Sequence, residues 1–251
     1  MQRIKFQDAQ GIRWGNLHGE TIEVLQSMQG KATGEEQKLE AVRLLAPCEA
    51  SIIICVGKNY AKHVREMGGD ALPQEPGLFL KALNTLADPE EGIPYPSWTE
   101  NLHYEGELAI VISKTMHRVS EAEALDYVLG YTCACDVTAR DKQRSDLQWA
   151  RAKSADKFCP LGPWLETELD PSALQVQTRV NGELRQDGST QDLIFSVPVI
   201  LSYISHFMTL QAGDVVLTGT PDGVGALQVG DRVEVLVEGV GMLSNSIVEA
   251  I

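Results

Sequence analysis

The sequence predicts a mainly β protein with some α (α+β), built as a small N-terminal unit over residues 1–46 and a larger unit over residues 47–251. Three observations carry this reading. Short apolar, β-branched runs recur along the chain between glycine, proline and asparagine turns. Asn181-Gly182 stands between two such runs, 176–180 and 183–186, and suits the type I′ turn of a tight hairpin. Only residues 196–208 carry a sustained helical period, with Val197, Ile200, Leu201, Ile204, Phe207 and Met208 on one face and Pro198 in the first turn. With 251 residues, 43% of them hydrophobic, the chain can bury a substantial core.

The elements follow in order. Strands are expected over 3–6 and 12–17 around Asp8-Ala9-Gln10-Gly11, with a third over 22–25 and a short helix over 35–45 ending before Pro47. A strand over 51–56 leads through Gly57-Lys58-Asn59-Tyr60 into about two turns of helix at 61–67, stopped by Gly68-Gly69. Loops rich in proline (Pro73, Pro76; then Pro89, Pro94, Pro96) flank a strand over 78–81 and deliver the chain to a strand over 104–112. Ser120-Glu121-Ala122-Glu123 reads as a capping box opening a helix over 121–128. A strand over 130–135 ends at Asp136, a polar stretch fills 137–157, and strands over 214–218, 232–237 and 242–248 close the chain.

Composition excludes some functions. A net charge of −14 and a pI near 4.8 argue against nucleic acid and anionic membranes as partners. The first residues contain no apolar signal core, and the longest apolar runs, such as 52–56, are too short to span a bilayer. The five cysteines match no zinc spacing and read as reduced core thiols, so a cytoplasmic location is expected.

The chemistry gathers around Tyr104-Glu105-Gly106-Glu107-Leu108-Ala109-Ile110-Val111-Ile112. Alternation along a strand puts Glu105 and Glu107 on one side, and burial beside so apolar a run disfavours two unpaired charges. A hard divalent cation compensates such a pair, and Asp136 at the end of another strand supplies a third carboxylate for Mg²⁺ or Mn²⁺. Open coordination positions would suit a chelating α-keto acid, with Lys153, Lys81 and Arg140 available to balance negative charge. His63 and Glu66 share a helix face at i, i+3, the arrangement of a carboxylate-oriented general base. Taken singly, the same residues fit solvated strand ends, a turn aspartate, surface lysines and a helix-surface ion pair.

Their ordered set is more specific. Asn59-Tyr60-Ala61-Lys62-His63-Val64-Arg65-Glu66, Phe79-Leu80-Lys81, Tyr104-Glu105-Gly106-Glu107-Leu108-Ala109, Asp136-Val137-Thr138-Ala139-Arg140-Asp141, Ala152-Lys153-Ser154, Gly162-Pro163-Trp164, Val180-Asn181-Gly182-Glu183 and Thr218-Gly219-Thr220-Pro221 resemble the fumarylacetoacetate hydrolase family from about residue 50 onward. The resemblance implies a mixed β-sandwich-like roll, found as a homodimer, with Glu105, Glu107 and Asp136 as metal ligands. It also implies a His63–Glu66 dyad on a mobile lid, for which Gly68 and Gly69 would suit a hinge, and a catalytic Lys153. Gln143 and Thr220 match substrate-site positions, and Lys81 and Arg140 belong to family motifs. Ala155, where an aromatic is common, and Lys157 depart from the pattern and put the pocket wall in question.

The implied activity is metal-dependent hydrolysis of a C–C bond in an acylpyruvate or β-diketo acid, such as fumarylpyruvate or acetylpyruvate, through a metal-stabilised enolate. His63–Glu66 favours hydrolysis because only that reaction needs an activated water. The alternatives are isomerisation of a 5-carboxymethyl-2-hydroxymuconate type of dienoate and decarboxylation of oxaloacetate-like acids. A β module that binds a divalent metal without catalysis is the non-enzymatic reading, separable by melting with and without EDTA alongside turnover of keto acids.

Overall fold

Residues 1–250 are described by a computed structural model. The strands, in chain order, are β1 (Gln2–Asp8), β2 (Gly11–His18), β3 (Thr21–Leu25), β4 (Ala32–Lys38), β5 (Arg43–Leu45), β6 (Ile53–Gly57), β7 (Gly77–Lys81), β8 (Leu86–Ala87), β9 (Ile93–Tyr95) and β10 (Leu102–Tyr104). They continue as β11 (Gly106–Ile112), β12 (Val128–Cys135), β13 (Thr138–Ala139), β14 (Cys159–Glu166), β15 (Gln175–Val180), β16 (Glu183–Ser189), β17 (Val215–Leu217), β18 (Gly225–Ala226), β19 (Arg232–Val237) and β20 (Gly241–Glu249). The α-helices are α1 (Ala61–Glu66), α2 (Arg140–Ser145), α3 (Ala150–Lys153) and α4 (Val197–Ser205). No helix among the described residues is long and apolar enough to cross a membrane.

One large mixed sheet runs β4-β3-β2-β1-β14-β12-β11-β17-β6-β7, with β5 against β1 and β8 against β14. The first five strands therefore join the main sheet through the antiparallel contact of β1 with β14. A second sheet, β16-β15-β19-β20-β9, packs across β11, β12 and β14. Their inner faces meet in a core that includes Leu108, Ile110, Ile112, Val176, Val235 and Leu243. The opposite face of β11 contributes Ala109 and Val111 to a separate core with Ile53, Cys55, Leu161 and Leu217. β11 is thus covered on both faces, which is why its sequence is apolar without interruption.

Alternation along β11 also sets the chemistry. Glu107 shares the parity of Ala109 and Val111, whereas Gly106 turns toward the second sheet. A Cβ at Gly106 would overlap Thr178 Oγ1 and lie 3.2 Å from Val235 Cγ1, so no larger side chain fits between the two glutamates. Gly106→Ala is expected to destabilise the protein by roughly 1–3 kcal/mol through overpacking. Chemical denaturation in EDTA would measure this, and an unshifted midpoint would contradict the close approach.

Several expectations are corrected. Residues 35–45 form no α-helix: β4 pairs with β3, a 3-10 turn covers Leu39–Ala41, and β5 pairs with β1. The alternating exposure of β4 is that of an edge strand, and tertiary pairing outweighs a helix propensity that no buried face supports. Residues Glu121–Tyr127 are 3-10 rather than α, and the Ser120 hydroxyl donates to the Glu123 carboxylate (2.5 Å) instead of capping a backbone N–H. The strand expected over 104–112 breaks at Glu105, between β10 and β11. Elsewhere the hairpin forms as expected, with Asn181 and Gly182 at φ 53° and 81°.

Candidate active site

Antiparallel pairing of β11 with β12 places Gly106 opposite Cys135 and Glu107 opposite Ala134, so Asp136 leaves β12 beside Glu105. The Asp136 N–H donates to the Glu105 carbonyl (2.8 Å) and locks that junction. Carboxylate oxygens of Glu105, Glu107 and Asp136 come within 4.8 Å of one another, and all three residues are buried. Among the described residues, no other group of three potential ligand side chains converges in this way.

Buried cations surround the three. Lys153, at the end of α3, donates to Glu105 Oε2 (2.7 Å) and Asp136 Oδ2 (2.6 Å). Arg140 opens α2 and donates from Nη2 to Glu105 Oε1 (2.5 Å) and from Nη1 to Gln143 Oε1 (2.6 Å). Glu107 Oε2 accepts from the Gly219 N–H (2.7 Å). Gly219 has φ 100°, and a Cβ there would stand 2.9 Å from Asn59 Cβ, so the amide reaches Glu107 only because the residue is glycine.

These surroundings polarise the carboxylates differently. Burial alone would raise Glu105, but Lys153 and Arg140 hold it well below the usual carboxylate range. Glu107 goes the other way: burial, reinforced by Asp136 and Glu105, pushes it well above that range. Burial would lower the Lys153 ammonium, yet Asp136 and Glu105 keep it above its ordinary value.

The residues fit a divalent cation. Asp136 Oδ1 is fully buried with no hydrogen-bond partner, although Lys81 Nζ lies 2.7 Å away as an ion pair. Three buried carboxylates whose oxygens converge within 4.8 Å, in an all-oxygen set, suit Mg²⁺ or Mn²⁺. Because burial and the neighbouring carboxylates push Glu107 up, a proton competes with a cation for this oxygen set, and binding is expected to release protons and to tighten as pH rises. Calorimetric Mn²⁺ titrations in buffers of different ionisation enthalpy check this, and identical heats in all buffers would contradict it.

The carboxylates open on a cavity of about 200 Å³ that His63, Gln143, Thr220, Phe79 and Trp149 also line. His63 sits on α1, buried, with Nδ1 2.9 Å from Glu66 Oε2. Glu66 Oε1 accepts from the Gly223 N–H (2.9 Å), so the carboxylate that orients the imidazole is itself held by the loop after β17. The Glu66 carboxylate thus engages Nδ1 of the imidazole. Gly68, at φ 79°, closes α1 with its N–H donating to Arg65 O (2.9 Å).

Of the residues expected at the substrate site, Arg140, Gln143 and Thr220 line the cavity and Lys81 does not. Lys81 does not line the cavity: its ammonium lies behind Asp136 and donates to the carbonyls of Lys153 (2.6 Å), Phe158 (2.8 Å) and Val137 (3.3 Å). Its ammonium is thus engaged by three carbonyls and by the Asp136 carboxylate (2.7 Å), away from the cavity. Thr220 lines the cavity, but its hydroxyl donates to Gly106 O (2.9 Å) and accepts from Gln186 Nε2 (2.7 Å). Ala155 and Lys157 lie outside this cavity, in a separate open groove of about 760 Å³ past Trp98. Gln186 was not singled out by the sequence, because nothing local distinguishes a strand glutamine whose partners lie 34 and 80 residues away.

Residues 52–248 match the family model described as fumarylacetoacetate (FAA) hydrolase, C-terminal. The chain belongs to the fumarylacetoacetate hydrolase family. Residues 1–47 match a second model, Rv2993c-like, N-terminal. Among relatives of this fumarylacetoacetate hydrolase family member, the mitochondrial oxaloacetate tautomerase FAHD1 of Bos taurus is 47% identical over 194 residues, covering 75% of this chain and 87% of that one. The crystal structure of 5-carboxymethyl-2-hydroxymuconate delta-isomerase from Mycobacterium smegmatis superposes with a TM-score of 0.94 at 41% identity, covering 100% of both chains. Fumarylpyruvate hydrolase from Pseudomonas aeruginosa, solved with Mn²⁺ and pyruvate, superposes with a TM-score of 0.77 at 35% identity, covering 81% of this chain and 91% of that one. The mainly β fold with few helices is that of the family.

Proposed function

We propose that the protein is a divalent-metal-dependent enzyme that moves a proton at the carbon beside the keto group of a small 2-oxo dicarboxylic acid, as a keto–enol tautomerase or double-bond isomerase. The observation that carries this reading is the buried His63–Glu66 pair, anchored by the Gly223 N–H, opening on the same small cavity as three convergent carboxylates. Glu105, Glu107 and Asp136 would hold the cation, which when bound polarises the keto group and stabilises enolate charge.

The chain's own residues supply the rest. Glu66 fixes the imidazole with Nδ1 protonated, so that Nε2 would take a proton from the carbon beside the keto group and deliver it to the enolate oxygen in tautomerisation, or to the far carbon of the conjugated system in isomerisation. One such carrier suffices for tautomerisation. Lys153 orients Glu105 and Asp136 while facing the cavity, and Lys81 and Arg140 hold the outer oxygens of the same groups. Three carboxylates are thus matched by three buried cations, which leaves the two charges of a divalent ion for a dianionic substrate. Gln143 spends its carbonyl on Arg140 and keeps its amide N–H groups for substrate oxygens.

Hydrolysis of an acylpyruvate is the second reading, supported because the same oriented imidazole could deprotonate water, and by the likeness to fumarylpyruvate hydrolase. A panel of oxaloacetate, a carboxymethyl-hydroxymuconate, fumarylpyruvate and acetylpyruvate, run with Mg²⁺ or Mn²⁺ in D₂O, separates them. Proton–deuterium exchange beside the keto group without C–C cleavage supports the first reading. Cleavage without exchange on the dicarboxylates supports the second, and turnover of none would leave only a metal-stabilised module.

A further inference from the structure

We infer that Gln186, on β16 and remote in sequence from Glu105, Glu107 and Asp136, is a positioning residue for the metal centre. The inference rests on the reading of Glu105, Glu107 and Asp136 as metal ligands.

The peptide groups of Gly106 join the two glutamates, and both of its backbone polar atoms are held by the same pair of side chains. Gln186 Oε1 accepts from the Gly106 N–H (2.9 Å), while the Thr220 hydroxyl donates to the Gly106 carbonyl (2.9 Å). Gln186 Nε2 then donates to Thr220 Oγ1 (2.7 Å), so the three residues form a closed ring of hydrogen bonds. The second Nε2 proton goes to the Pro221 carbonyl (2.8 Å), next to the turn whose Gly219 N–H grips Glu107. Gln186 has no exposed surface, and each of its polar atoms has a partner.

This ring has a purpose that ordinary sheet pairing cannot serve. β10 ends at Tyr104 and β11 begins at Gly106, so Glu105 lies between two ladders: the Asp136 N–H holds the carbonyl of the Glu105–Gly106 peptide, and Gln186 holds the N–H on its other side. Rotation of the Gly106 peptide would swing Glu105 relative to Glu107, and ligand geometry tolerates little of that. Gln186 ties this peptide to the loop that fixes Glu107, making the two glutamates and the Gly219 amide one rigid unit. The second sheet, through β16, thereby sets the spacing of ligands carried by the first.

The test is Mn²⁺ affinity, read by electron paramagnetic resonance or calorimetry, on Gln186→Met and Gln186→Glu. Loss of such an outer hydrogen bond is expected to weaken Mn²⁺ binding by about 10–100-fold. Gln186→Glu keeps the acceptor for Gly106 but cannot donate to both Thr220 and Pro221, so it is expected to weaken binding in the same direction and decides the matter if the Met variant does not fold. Ile22→Ala, in the N-terminal core away from the site, serves as the comparison for a merely destabilised fold and is expected to melt lower with unchanged Mn²⁺ affinity. The ring further predicts that Gln186→Met with Thr220→Val weakens binding no more than the worse single change. Affinity within twofold of wild type in the Gln186 variants, or a loss no larger than in Ile22→Ala, overturns the positioning role. A wild-type chain that binds no Mn²⁺ would instead remove the metal reading beneath it.

Discussion

Lys153→Met is expected to destabilise the metal-free protein by about 3–5 kcal/mol, the usual result of leaving buried charges without their partner. Lys153 is the one cation bonded to two of the three carboxylates, Glu105 and Asp136, and all of these groups are buried. Met fills similar volume, so the loss measures charge compensation and not a cavity. A divalent ion compensates the same carboxylates, and Mn²⁺ is therefore expected to raise the melting temperature of the variant by more than it raises that of the wild type. Turnover is expected to fall even where Mn²⁺ restores the fold, because the ammonium that orients both ligands is gone. A variant that melts like wild type in EDTA would show that Lys153 is not what allows the carboxylates to be buried.

The second large effect is chemical. His63→Gln is expected to lower turnover by about 10²–10⁴-fold, the range for loss of a general base, while Mn²⁺ affinity stays within about twofold. The imidazole hydrogen-bonds to Glu66 and not to Glu105, Glu107 or Asp136, so its removal takes no hydrogen bond from the three carboxylates. Glu66→Gln is expected to fall in the same direction by less, since the amide still accepts a bond from Gly223 but no longer stabilises an imidazolium. Undiminished proton exchange in His63→Gln would assign the proton carrier to another group.

Much of this was legible in the sequence, for reasons that differ from element to element. Alternation anticipates that Glu105 and Glu107 come together, although Glu105 stands just outside β11, and Asn181-Gly182 dictates the turn it forms, because both depend on neighbours in the chain. The ordered motifs carried the remaining site residues and led to the family to which the chain belongs. Contacts made across the fold were not legible. Residues 35–45 look helical until β3 and β1 offer them ladders, and Lys81 resembles a substrate ligand until three carbonyls from distant loops enclose it. Thr220 was found by its motif, but the ring it shares with Gln186 and Gly106 exists only once the two sheets meet.

The unequal footing of the two halves of the site has a thermal consequence. The carboxylates ride on or beside β11, an interior strand of the largest sheet whose amides should exchange with solvent only on global unfolding. His63 rides on a six-residue helix followed by Gly68 and Gly69, which is fastened at its end by the Glu66–Gly223 bond and before its start by Asn59 to Thr218 and Phe195. Such a segment opens locally at far lower free energy than the sheet does. On warming, the proton carrier should come loose while the cation is still firmly held, so activity fades well before the melting transition and returns fully on cooling. The inactive warm state would be a folded, metal-loaded protein.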